Sequence, residues 1–283
     1  LHEPKINSNK IKLLLGPKKT PKVCISVNYS GVIPEEVVEL FEYGILNAHG
    51  GDLPKYRGNA CQAWAILNGE KRIGLCIHRM IGGELDSGDI ITRDYLSLDH
   101  NSKITEVWEW MVRRTPELML EAVSRLSSEP NYVLERQSKN PKDVLRCYPR
   151  KPEDGRIDWH QNALKILRLI NASNKPYAGA FCYYEGDKLI IWEAELVNDD
   201  EVFCAVPGQV TKICEGTDFV SAAWAISGSD GVEVAIYTND NYWKQKGEYK
   251  PKVLTFNPNY HGSTYLPQIF RQDYKDTNRC TVV

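Results

Sequence analysis

Three consecutive stretches near the amino terminus constrain the fold of this chain more than any other feature. Val23 to Tyr29 is an apolar run ending near Gly31, and it reads as a buried strand. Pro34-Glu35-Glu36-Val37-Val38-Glu39-Leu40-Phe41 follows, with proline in the first turn and acids beside it, which marks a helix start. Gly44 to His49 is a second buried strand. A strand, a helix and a strand joined by short connections pair in parallel, so the segment predicts a βαβ unit of an open α/β sheet.

Downstream, a Gly- and Pro-punctuated loop covers 50–58, and a helix is predicted from Cys61 to Leu67. Ile73 to Met80 and Asp89 to Leu98 read as strands around the loop 81–88. Apolar residues at helical spacing from Ile104 to Leu126 predict one long helix, kinked or split at Pro116. Residues 128–156 are polar and Pro-rich and read as a linker or an edge excursion. A helix is expected over roughly 160–172, and a hairpin from Ala180 to Leu196 turning at Glu185-Gly186-Asp187. Short strands are predicted from Val210, from Phe219 to Ile226 and from Val232 to Tyr237, the last after a Gly228-Ser229-Asp230-Gly231 turn. Together they predict a small antiparallel β domain or barrel, and 257–283 reads as a loop-like tail.

Composition narrows the class. The 283 residues are 42% hydrophobic and 25% charged, within the range of globular proteins able to bury a core. The net charge of -2 gives no basic footprint for nucleic acid. No apolar run is long enough to cross a bilayer, and no signal peptide is visible. Eight cysteines without a CxxC pair argue against zinc, and in a chain with a full core they read as thiols of a reducing, cytoplasmic setting. The chain begins at Leu1, and its first 20 residues are Lys-rich with weak periodicity, so the amino-terminal side of the sheet is expected to be shortened or completed by residues not shown.

Asn47 and His49 sit at the carboxyl end of the second strand, where ligands bind in open α/β sheets. Two positions apart on a strand, they face one side. An amide can hold an oxyanion, and an imidazole can move a proton near neutral pH. Asp86, in the turn Leu85-Asp86-Ser87-Gly88, can hold His49 in one tautomer and favour its charged form. Lys55, Tyr56 and Arg57 offer cations and an aromatic to an anionic ligand. Each of these has an ordinary structural explanation when taken alone. His78, inside an apolar strand pattern, reads as a structural histidine. Phosphate-binding glycine loops are absent.

The order of the motifs is more specific than any one of them. Asn47-Ala48-His49, Leu53-Pro54-Lys55-Tyr56-Arg57-Gly58, Trp64-Ala65-Ile66 with Gly69-Glu70, and Leu85-Asp86-Ser87-Gly88-Asp89-Ile90 follow in turn. Gly155-Arg156-Ile157-Asp158-Trp159 and Ala178-Gly179-Ala180-Phe181 extend the pattern. In these segments the chain resembles the N10-formyltetrahydrofolate-dependent formyltransferases, the family of the methionyl-tRNA, glycinamide ribonucleotide and sugar N-formyltransferases, and most of all the sugar enzymes. Gly50-Gly51-Asp52 departs from the Pro-Ser pair usual after the histidine.

The resemblance implies a Rossmann-like α/β catalytic domain with a mainly parallel sheet over residues 1–150. A linker helix and a small OB-like β domain would follow over 151–256, then a tail over 257–283. It implies Asn47, His49 and Asp86 as the catalytic trio, and Tyr29, Val32, Ile33, Gly83, Leu85 and Asp86 around the folate. The co-substrate is then N10-formyltetrahydrofolate, without a metal. The expected acceptor is a nucleotide-linked amino sugar of the kind used in lipopolysaccharide biosynthesis, its diphosphate met by Lys55, Tyr56 and Arg57. Methionyl-tRNA formylation, folate binding without catalysis, and hydrolysis of the formyl folate stand as alternatives. No membrane or nucleic-acid partner is expected, and a homodimer is left open.

Overall fold

The computed structural model describes residues 6, 8–16, 22–29, 31–184, 187–197, 207–215, 219–224, 233–239 and 281–282. The chain divides into two compact units, one of residues 1–99 and 105–150, the other of residues 100–104 and 151–283.

In the first unit, α1 (Ser8–Leu15) precedes β1 (Cys24–Val27), and α2 (Glu35–Val38), a single turn behind Pro34, leads to β2 (Ile45–His49). β1 and β2 are parallel, with Cys24 opposite Ile45 and Val27 opposite Ala48, as the βαβ pattern predicts. Ile33, Val37, Val38, Phe41 and Ile45 pack as one cluster, joined by Ile11 and Leu15 from one face of α1. The expectation of a buried first strand does not hold: Ile25 is 52% and Val27 54% exposed. Among the described residues β1 pairs only with β2, at the edge of the sheet.

β3 (Arg57–Gly58) and α3 (Cys61–Asn68) follow, then β4 (Arg72–Arg79) and β5 (Ile90–Ser97). The four-stranded sheet runs in the order β1-β2-β4-β5. It is mixed rather than mainly parallel, because β4 is antiparallel to both β2 and β5. α3 has eight residues, about 12 Å of helix, and ends at Gly69 in the left-handed conformation. The chain re-enters the sheet at the end of β2 that it left, with Cys76 opposite His49, and β4 runs back alongside. β4 is one of the two interior strands, with Ile73 to His78 buried. α4 (Ile104–Ser128) passes through Pro116 as one helix rather than two. It buries Val107, Leu118, Ala122 and Leu126, and the Leu118 carbonyl accepts from Thr92 of β5 at 3.1 Å.

The polar stretch after α4 is an ordered edge excursion. β6 (Arg146–Cys147) pairs in parallel with β3, and Leu134 and Glu135 bond to Ile90.

In the second unit, α5 (Ala163–Ser173) starts at Asn162, whose side chain accepts from the Lys165 N–H at 2.9 Å. β7 (Ala180–Tyr184) and β8 (Asp187–Ile191) form the expected hairpin; Glu185 and Gly186 of its turn lie outside the described residues. Ile157, Trp159, Ile166, Ile170, Ala180 and Ile191 share a core. Gly155 is needed for it, since a Cβ there would stand 2.8 Å from the Gly179 carbonyl oxygen. β9 (Glu193–Val197), β10 (Val210–Glu215), β11 (Phe219–Trp224), β12 (Glu233–Asn239) and β13 (Thr281–Val282) form an antiparallel sheet in the order β13-β10-β11-β12-β9. The 228–231 turn and most of the 257–283 tail lie outside the described residues.

Because β4 carries the sheet that presents the site, Ile77→Ala, at a fully buried position, is expected to cost about 2–5 kcal/mol in urea or thermal unfolding.

Candidate active site

The antiparallel pairing of β2 with β4 sets Asn47 directly opposite His78 and His49 opposite Cys76. On the pleated sheet this gathers Asn47, His49 and His78 at the carboxyl end of β2. The Asn47 amide Nδ2–H donates to His78 Nε2 at 3.2 Å. His78 donates its Nδ1–H to the Arg79 carbonyl at 3.0 Å, and its Nε2 also faces Asp86. The two imidazoles meet edge to face, with centroids 6.2 Å apart.

Asp86 enters between the two rings. Its Oδ2 stands 3.5 Å from His49 Nδ1 and its Oδ1 3.5 Å from His78 Nε2. The Gly58 backbone N–H donates to Oδ2 at 2.9 Å. Burial alone would push this carboxyl up, but His78, the charge interaction with His49 and the Gly58 N–H together bring it down to about 2. The carboxylate is therefore ionised throughout the neutral range.

His49 differs from expectation in two ways. Its Nε2 lies 2.7 Å from the Tyr56 carbonyl oxygen, and a carbonyl can only accept, so Nε2 carries the proton. The tautomer is thus fixed by the Tyr56 backbone and not by Asp86. Asp86 instead faces Nδ1, the nitrogen left open to take a proton. Burial also lowers the pKa of His49, an effect that Asp86 opposes only in part, so the ring rests neutral near pH 7.

The Leu53-to-Gly58 loop supports this arrangement more than it lines a ligand site. Tyr56 is 2% exposed, and its hydroxyl donates to Glu70 at 2.6 Å. The Asn68 amide donates to the same hydroxyl at 3.2 Å, so the side chain is held inside the loop rather than open to solvent. The Gly69-Glu70 motif after α3 thereby gains a use: it anchors Tyr56, whose carbonyl holds His49. Lys55 is exposed and available. Arg57 is half-buried and bonds Gln137 through Nε and NH2 at 3.1 and 2.7 Å. Gly51 explains the unusual residues after the histidine, because a Cβ there would lie 2.4 Å from the Tyr56 oxygen and 2.6 Å from His49 Nε2.

The residues expected around the folate come together at the neighbouring edge. The Gly83 N–H donates to the Ile33 carbonyl at 3.0 Å, and the Gly82 N–H to Glu35 at 2.5 Å. Val32 is 57% exposed, Tyr29 and Leu85 are half-buried, and the space around Gly83 is open. Ile33 itself is core, so it offers a surface only through its backbone. Two members of the site were missed in the sequence. His78 is visible there only if the β2–β4 register is known, and Gln137 lies in a segment with no periodic signal.

With this geometry in hand, the chain matches a family model described as formyl transferase over residues 10–123, and the formyl transferase C-terminal domain over 150–223. It is 33% identical over 192 residues to the methionyl-tRNA formyltransferase of Caldanaerobacter subterraneus subsp. tengcongensis, covering 68% of this chain and 60% of that protein. The chain therefore spans less than two thirds of that relative. Its fold resembles HypX from Aquifex aeolicus, solved with tetrahydrofolic acid, at a TM-score of 0.57 and 22% identity over 76% of this chain and 35% of that one. It also resembles WlaRD, a sugar 3N-formyl transferase solved in the presence of dTDP and 5-N-formyl-THF. There the TM-score is 0.56 and the identity 19%, over 75% and 71% of the two chains.

The low pKa of Asp86 has a consequence for stability. A carboxyl depressed in the folded state stabilises the protein above its unfolded pKa of about 3.9. That contribution is lost as the pH falls to about 2. Urea unfolding at stepped pH should show wild-type stability dropping between about pH 4 and 2. Asp86→Asn should show a shallower drop over that window, and an identical slope would contradict the assignment.

Proposed function

Because this chain belongs to the formyl transferase family, carrying both of its domains, we propose that it moves a formyl group from N10-formyltetrahydrofolate to the amino group of a nucleotide-linked amino sugar. The observation that carries this reading is the ionised Asp86 set against Nδ1 of a neutral His49, with the Asn47 amide beside them.

The acceptor amine attacks the formyl carbon, a C–N bond forms, and the carbonyl becomes an oxyanion. One N–H of Asn47 is committed to His78, and the other meets the oxyanion. The attacking nitrogen passes its proton to His49 Nδ1. The imidazolium is supported on one side by Asp86 and on the other by the Tyr56 carbonyl. As the tetrahedral centre collapses, the bond from carbon to N10 breaks and His49 returns the proton to N10. His49 and Asp86 act as a coupled pair in this cycle. Tyr29, Val32, Gly83, Leu85 and the Ile33 backbone form the folate side.

Three things support the amino-sugar acceptor: the fold shared with a sugar 3N-formyl transferase solved with dTDP, the exposed Lys55 and the half-buried Arg57 as diphosphate contacts, and a net charge of -2 that suits transfer RNA poorly. The second reading, formylation of methionyl-tRNA, is favoured by the 33% identity to such an enzyme.

The purified chain, given N10-formyltetrahydrofolate, should formylate a dTDP-linked amino sugar and leave charged initiator tRNA unchanged. Asn47→Ala should lower that rate about 10²–10³-fold, and His49→Ala about 10²–10⁴-fold. Transfer only to tRNA, with binding that falls steeply with salt, would move the assignment to the second reading. Release of formate with neither acceptor would indicate a hydrolase.

A further inference from the structure

The polar excursion after α4 contributes one buried side chain that the reaction scheme does not use. Gln137 is 7% exposed, and its amide is fully engaged. Nε2 donates to the backbone oxygens of Asp86 at 2.8 Å and of Gly88 at 2.7 Å. Oε1 accepts from Arg57 Nε and NH2. Both N–H groups thus fix the chain on either side of Ser87, while the oxygen holds the guanidinium of the Leu53-to-Gly58 loop.

The backbone it grips is unusual. Asp86 has φ 49°, in the left-handed region that residues with a Cβ seldom adopt. Such a conformation persists only where the surroundings over-determine it. Gly88, two residues on, is pressed so closely to Arg79 that a Cβ would stand 1.8 Å from its carbonyl oxygen. Gln137 adds two hydrogen bonds to this same turn, and it arrives from a segment about fifty positions away in the chain.

We propose that Gln137 is a positioning residue: its amide holds Asp86 in the left-handed conformation that sets the carboxylate between His49 and His78, and it couples that turn to Arg57. The catalytic consequence rests on the formyl-transfer reading; the positional one does not. A buried amide with all four hydrogen bonds made to two elements of one site has little freedom to relax, so its removal should move the carboxylate.

Two variants separate positioning from bulk stability. Gln137→Glu keeps the shape and the acceptor for Arg57 but loses both donors, and Gln137→Met loses donors and acceptor alike. In both, turnover should fall by about tenfold or more while the KM for folate stays within about twofold. The KM for the sugar nucleotide should rise only in Gln137→Met, where Arg57 loses its partner. In histidine NMR titrations of the full chain, the His49 transition should move to lower pH in both variants, towards its position in Asp86→Asn. The groups facing that ring are Asp86, His78, Arg57 and the Tyr56 carbonyl; Asp86 and, to a lesser degree, the Tyr56 carbonyl favour its charged form.

Folded variants with a lowered Tm but an unchanged His49 titration and unchanged turnover would overturn the proposal. If the wild type formylates no amine, the functional reading fails, and the titration still decides the role of Gln137. Should neither variant fold, the wild-type side-chain amide protons of Gln137 decide it: slow exchange is expected, and rapid exchange would overturn the proposal.

Discussion

A buried carboxylate shared by two histidines organises the first unit. Taking an ionised Asp86 out of water is costly unless several groups answer its charge. Here the Gly58 N–H donates to Oδ2, and His49 and His78 each set a ring nitrogen 3.5 Å from one of its oxygens. Each lies on a different element, so the sheet, the 50–58 loop and the 81–88 turn must all be in register for the charge to be tolerated. The interior strand β4, buried from Ile73 to His78, supplies the rigid reference. Its antiparallel pairing with β2 brings His78 to Asn47, and the turn that leaves β4 brings back Asp86.

The second organising contact is the hydrogen bond from His49 to the Tyr56 carbonyl. It commits one imidazole nitrogen to the backbone and leaves the other facing Asp86, where the proposed reaction has it take a proton. The loop that provides this carbonyl is held from beneath by Tyr56 on Glu70, and it passes Gly51 at a distance no larger residue would allow. Much of the motif pattern in this region is thus supporting structure rather than ligand contact.

The sequence revealed local order and not long-range register. The βαβ unit, the period-two pair Asn47 and His49, the long helix and the hairpin beyond it could be read from periodicity and turn residues. His78 could not be told from a core histidine, because its partner is chosen by cross-strand pairing. β1 looked buried from its apolar run, yet an edge strand exposes such residues when no second neighbour covers them. The direction of β4 is a matter of which end of β2 it pairs from, which apolar spacing does not encode. The burial of Tyr56 was hidden for a related reason: an aromatic between two cations reads as surface until Glu70 is found beneath it. Gln137 left no trace, since an isolated polar residue in a Pro-rich stretch is ordinarily solvated.

The account turns on Asp86 and His49 acting together on a folate-borne formyl group. Its most direct test is a single-turnover experiment with enzyme in excess over N10-formyltetrahydrofolate and a dTDP-linked amino sugar present, following the appearance of tetrahydrofolate. The wild type should convert the bound folate in one fast phase with matching formylated sugar, and Asp86→Asn, bound to the same folate, should show no such phase. An equal fast phase in both proteins would contradict the account.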